Sequence, residues 1–218
     1  MKPHEVTTSQ LKTLWEPHKT TVKQDTAIRI HRAFSWLGRA EACHKDDPDI
    51  ALLCRWAAFN ALYAQWDIDE GSTISDKFSW QHFASRILEL DEDEHVAFII
   101  RPQERRINEM FASKYLNSRN WRKHEIANHQ ERDQAVIDYL RWRQTQNWSL
   151  IFEGILDRIY LVRCQMVHGG ATYKSGKNRR SVNDCNILLS ELINAICLIL
   201  IEKGTDQDWG IMCYPPLA

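Results

Sequence analysis

Directly after Asp49 the chain reads IALLCRWAAFNALYAQW as far as Trp66, apolar on nearly every face that a helix could turn. A surface helix keeps a polar stripe for water, so a segment of this kind has to be enclosed by other elements. Its start is well marked: Asp47 can cap it and Pro48 suits its first turn. The whole chain is consistent with such a buried helix among others. Eight Gly and six Pro are few for 218 residues, and nine Trp are many. Aromatic bulk with so little turn chemistry favours packed helices over a many-turned β-sandwich. The length suits one large domain or two small ones.

Helical spacing recurs along the rest of the chain. Residues 1–24 are polar, without a sustained period, and read as an N-terminal arm free to dock on the domain. Helical periodicity begins near Asp25: after Ile28, the apolar positions Ala33, Phe34, Trp36, Leu37 and Ala40 fall three and four apart. Gly71-Ser72-Thr73 marks a loop. A helix then opens near Phe78 and ends at the acidic turn Asp91–Glu94, and short helices follow to about Lys114. The stretch Asn120–Arg143 is helix-prone. Another helix runs from about Ser149 through IFEGILDRIYLVRCQMV to His168, where Gly169-Gly170 is a strong stop. A last helix spans about Arg180 to Lys203, before an irregular tail. The expected architecture is all-α: the arm, then a single all-helical domain over 25–218, a helical bundle with additional short helices.

Cys43, Cys54, Cys164, Cys185, Cys197 and Cys213 contain no Cys-x-x-Cys pair, and most are expected as buried free thiols. The opening residues carry no signal-peptide pattern, and the longest apolar run, Ala195 to Ile201, is too short to span a bilayer. The expectation is a cytoplasmic protein without a membrane partner.

A formal net charge of −1 conceals a segregation. From Glu41 to Glu94 there are thirteen acidic residues and four basic ones. From Arg158 to Asn183 there are six basic residues (Arg158, Arg163, Lys174, Lys177, Arg179 and Arg180) and no acidic one. An acid-free cationic stretch is a footprint for phosphate-bearing ligands. It is equally a set of partners for the acidic half within the fold.

His124 and His129 invite a zinc-hydrolase reading and fail it. The two-histidine zinc helix needs spacing i, i+4, whereas i, i+5 sets the imidazoles about 140° apart. No Gly-rich phosphate loop or nucleophile elbow occurs. The better candidate is Arg163-Cys164-Gln165-Met166-Val167-His168, at the end of an apolar helix in the acid-free stretch. Arg39/His44 and Arg119/His124 share the interval, so only this context singles out Arg163/His168. A guanidinium beside an imidazole that titrates near neutrality suits RNA cleavage without a metal. The imidazole would exchange protons with the ribose 2′-hydroxyl or the leaving oxygen, and the guanidinium would stabilise the phosphorane. The plain structural alternative is a histidine stabilising the negative end of a helix dipole, with Gly169 as the left-handed cap.

Met166-Val167-His168-Gly169-Gly170-Ala171-Thr172-Tyr173, followed by Asn178-Arg179, resembles the signature of Apea-like HEPN-domain proteins. Arg55-Trp56-Ala57-Ala58-Phe59-Asn60-Ala61-Leu62-Tyr63 resembles their N-terminal helix motif, and Asp208-Trp209-Gly210 with Tyr214-Pro215 their C-terminal tail. The likeness spans about Ile28 to Pro215. It implies a HEPN-type helical bundle, often a homodimer. Many members are metal-independent endoribonucleases of bacterial toxin–antitoxin, phage-defence or RNA-processing systems, with an antitoxin or defence-system partner. The family's catalytic Arg and His match Arg163 and His168, and a twofold pairing of helices would let two chains pool them in one cleft. The position after the arginine, commonly Asn, Asp or His in active members, is Cys164 here. A non-catalytic RNA-binding or dimerising module is the alternative.

Tyr173, Asn178, Arg179 and Arg180 are candidate RNA contacts, or equally a solvated connection. Asn60 reads as a hydrogen-bonded core residue. Trp36, Trp56, Trp66, Trp142 and Trp148 stand at helical positions and read as core. Neither metal nor cofactor is called for.

Overall fold

The computed structural model describes residues 3–67, 72–118 and 129–215. The protein is all-α. Its helices are α1 (Thr8–Trp15), α2 (Gln24–Cys43), α3 (Pro48–Tyr63), α4 (Asp76–Leu90), α5 (His95–Ile100), α6 (Glu104–Ala112), α7 (His129–Gln144), α8 (Trp148–Val167) and α9 (Arg179–Lys203). Single 3₁₀ turns at Pro3–Glu5, Arg101–Gln103 and Lys114–Leu116 supply the additional short pieces. Of the loop expected at Gly71–Thr73, Ser72–Thr73 instead forms a short strand, β2, antiparallel to β1 (Trp66–Asp67), and Gly71 lies outside the described residues. Two residues per strand are too few to leave a periodic signal.

The helix ends follow local chemistry. Asp47 accepts the Ile50 N–H at the start of α3, where Pro48 needs no donor partner. Ser75 does the same for α4 and Asn147 for α8. At the far end of α8, Gly169 takes φ +73° and the Ala171 N–H returns to the Gln165 carbonyl.

The apolar α3 is enclosed as expected: Leu52, Ala58 and Phe59 have essentially no exposure, and the helix packs against α2 and α9. The centre, however, belongs equally to α9, which touches α1, α3, α4, α5, α6 and α8. By length and composition α9 could cross a bilayer, yet 72% of its most apolar window is buried inside the protein, the pattern of a core helix. One hydrophobic core runs from Val6 to Trp209.

The N-terminal segment adds to that core. Thr7 and Gln10 form a reciprocal cap for α1, and Leu11 and Trp15, one turn apart, are buried against α2 and α9. Asn194 donates to the Val6 carbonyl, and Thr8 donates to Glu41, which fixes the segment by polar contacts as well. Five cysteines are buried and Cys164 is half-buried, all as free thiols. His124 lies outside the described residues.

Candidate functional site

A cleft of about 750 Å³ opens where three helices each present one stripe. Arg29, Arg32 and Trp36 come from α2, and Trp56, Asn60 and Tyr63 from α3. Tyr160, Arg163 and Val167 come from α8, spaced three and four apart on one face. The N-terminus of α4 adds Ser75, Asp76 and Ser79, and the C-terminal tail adds Met212, Cys213 and Tyr214.

A polar network lies in this cleft. Asn60 Nδ2 donates to the Tyr63 hydroxyl (3.0 Å) and to Asp76 Oδ1 (3.2 Å), and the Tyr63 hydroxyl donates to the same Oδ1. The other oxygen, Asp76 Oδ2, is buried without a hydrogen-bond partner and has Arg163 Nη2 at 3.6 Å. Asn60 is therefore the hydrogen-bonded residue that its apolar helix suggested, with a carboxylate as partner. Burial, with the Asp76 charge second, pushes the Tyr63 hydroxyl far above its ordinary value, so it stays a donor. Burial and the neighbouring Cys164 raise Tyr160 to about 12. Arg163 also reaches Cys164 Sγ at 3.8 Å and stands over the Tyr160 ring at 5.9 Å. Its side chain keeps about a quarter of its exposure, so it can meet a ligand in the cleft.

His168 is placed differently. It caps α8, its N–H donating to the Cys164 carbonyl, and it is exposed. The cleft-lining stripe of α8 stops at Val167. Within one chain, then, Arg163 faces the cleft and His168 stands beyond its edge.

The four candidate RNA contacts are not gathered around Arg163. Arg179 grips Asp49 through two bonds of 2.8 and 3.0 Å, and this raises its pKa further. Arg180 pairs with Glu109, and with Asp184 at 3.9 Å. The Tyr173 hydroxyl donates to Asp47, holding that carboxyl below the usual range. Tyr173 and Asn178 line a separate pocket of about 110 Å³ together with Asp49. The acid-free stretch is thus met largely by acids from the N-terminal half: Asp47, Asp49 and Asp76. Arg158 takes another route. It lies 3.4 Å over the Phe111 ring and donates to Gly154, and burial lowers its pKa to about 10.

Sequence reasoning missed Asp76 and Tyr63 as members of the site. The i, i+3 pair Asn60/Tyr63 on a buried helix was the available signal, because two polar groups on one face of such a helix need a common partner. Among the described residues, one group has metal-ligand spacing: Asp93, His95 and Glu202, with ligand atoms within 4.8 Å of one another. None of the three lines the cleft. The chain matches no protein-family model, no curated protein and no solved structure.

Proposed function

We propose that this chain is a metal-independent endoribonuclease of the HEPN class, acting as a cytoplasmic homodimer in a bacterial defence, toxin–antitoxin or RNA-processing role. The observation that carries the reading is the position of Arg163. It is a partly exposed guanidinium in the cleft between α2, α3 and α8, on the helix that ends at an exposed His168. The three blocks of family resemblance supply the chemistry. His168 takes the proton of a ribose 2′-hydroxyl, the 2′-oxygen attacks phosphorus, and the bond to the 5′-oxygen breaks as that oxygen is protonated. Arg163 stabilises the charge of the phosphorane. Because the two side chains diverge on one helix, a second copy supplies the complementary residue at each site.

The alternative, a non-catalytic RNA-binding or dimerising module, is favoured by one specific observation: Arg179 and Arg180 are already held by Asp49 and Glu109.

Mixed cellular RNA incubated in EDTA with wild type, Arg163→Ala and His168→Ala separates the two. The ribonuclease reading expects fragments ending in 2′,3′-cyclic phosphate, with cleavage reduced by roughly a hundredfold or more in either variant. Undiminished cleavage by His168→Ala overturns the assignment, and RNA binding without cleavage by wild type favours the module.

A further inference from the structure

The tryptophans at helical positions were expected in the core; Trp66 stands half-buried in β1 instead, and Trp36 departs further. Trp56 is buried, and Trp142 and Trp148 pack against the core, whereas Trp36 is 47% exposed. Its ring belongs to the cleft that holds Arg163. So does Tyr214, exposed to 73%. Large rings left in water at the mouth of a concave site with a polar floor mark a place for a ligand.

The tail that carries Tyr214 is anchored to α2. Arg32, one turn before Trp36 on α2, donates to the Cys213 carbonyl (3.2 Å) and the Tyr214 carbonyl (2.7 Å). Arg29, a turn earlier, is buried and donates to the carbonyls of Leu62, Ala64, Trp209 and Gly210. Two arginines of α2 therefore fix the tail that carries Tyr214. Tyr214 itself adopts φ +51°, a conformation that disfavours a bulky residue and persists only where its surroundings impose it. The anchored tail thus leaves an aromatic ring in solvent beside the cleft.

We propose that Trp36 and Tyr214 form a stacking subsite for an unpaired base of single-stranded RNA, whose phosphate meets Arg163. The polymer's identity rests on the ribonuclease reading above. The subsite's chemistry rests on the rings, since every base offers a π-face and a base within a duplex is already stacked. An apolar peptide or lipid would cover the rings but offer the partly exposed Arg163 guanidinium no acceptor. A flexible single strand satisfies both levels of the cleft.

The test uses His168→Ala protein, so that RNA stays intact, and fluorescence anisotropy with a labelled 12-nucleotide single strand and its duplex. Trp36→Leu and Tyr214→Ala are each expected to weaken single-strand binding about tenfold, with Trp36→Phe within about threefold of the parent. The duplex is expected to bind more weakly than the single strand. The variants change two exposed side chains on separate segments of the chain, and unchanged melting shows that a shared loss is not a folding defect. If wild type cleaves RNA but both variants bind within about twofold of the parent, the subsite falls and the ribonuclease reading stands. If wild type neither binds nor cleaves, both fall. If Trp36→Leu lowers the mass by light scattering without changing RNA affinity, the face belongs to a second copy and the subsite is overturned.

Discussion

Asp76 has two oxygens with different tasks. Oδ1 is fixed by Asn60 and Tyr63, so the carboxylate cannot rotate freely, and Oδ2 is thereby aimed at Arg163. A carboxylate in that position orients the guanidinium and also competes with any phosphate for it. The two roles separate in Asp76→Asn, which keeps an acceptor for Oδ1's partners and removes the charge. RNA affinity should improve about threefold, the scale of a partly exposed ion pair. Turnover should fall about tenfold as the guanidinium loses its orientation. Steady-state kinetics would show KM and kcat falling together. A rise in KM would mean that Asp76 does not compete with substrate. Nothing in the local pattern of Asp76-Lys77-Phe78 announces this role, because it depends on two side chains from α3 and one from α8.

At the scale of elements, the legible features were those written within a few residues of one another. Asp47-Pro48 opens α3, and His168-Gly169-Gly170 closes α8, because caps and left-handed glycines act within one turn. α1 was hidden because its buried face amounts to Leu11 and Trp15 in an otherwise polar stretch, too short for a period. The fate of the cationic stretch was also hidden, since Arg179 and Asp49 lie far apart in sequence and only the packing of α9 against α3 brings them together. That pair decides between two roles for Arg179. Asp49 is 4% exposed and also accepts the Lys174 N–H, so it anchors the 169–178 connection to α3. Asp49→Ala should cost about 3 kcal/mol in urea denaturation, and Arg179→Ala about 2 kcal/mol, with a coupling of about 1 kcal/mol or more in the double mutant. Additive effects, together with lost RNA affinity in Arg179→Ala at full stability, would assign Arg179 to the ligand instead.

For the molecule as a whole, segregation of charge in sequence becomes neutralisation in space. Within the acid-free stretch Arg163, Arg179 and Arg180 face carboxylates and Arg158 faces a ring. Among the described residues, Arg158, Lys174 and Lys177 are its members without an ion-pair carboxylate, and of these Arg158 is already committed to the Phe111 ring and the Gly154 carbonyl. A ligand on this stretch therefore meets few cations it does not have to share. Affinity for a polyanion that rests on few phosphate contacts has a characteristic signature, because each neutralised phosphate on a single strand contributes about −0.7 to the slope of log K against log salt. Arg163 and the two lysines together give a slope of about −2. Titrations of the labelled single strand between low and physiological salt should show this shallow dependence, with most of the affinity surviving as a stacking contribution. A slope steeper than about −3.5 would require roughly five phosphates. The cations for that number are available only if Arg179 and Arg180 leave Asp49 and Glu109 on binding. The salt dependence thus measures whether the internal pairs are part of a closed fold or a reserve opened by RNA.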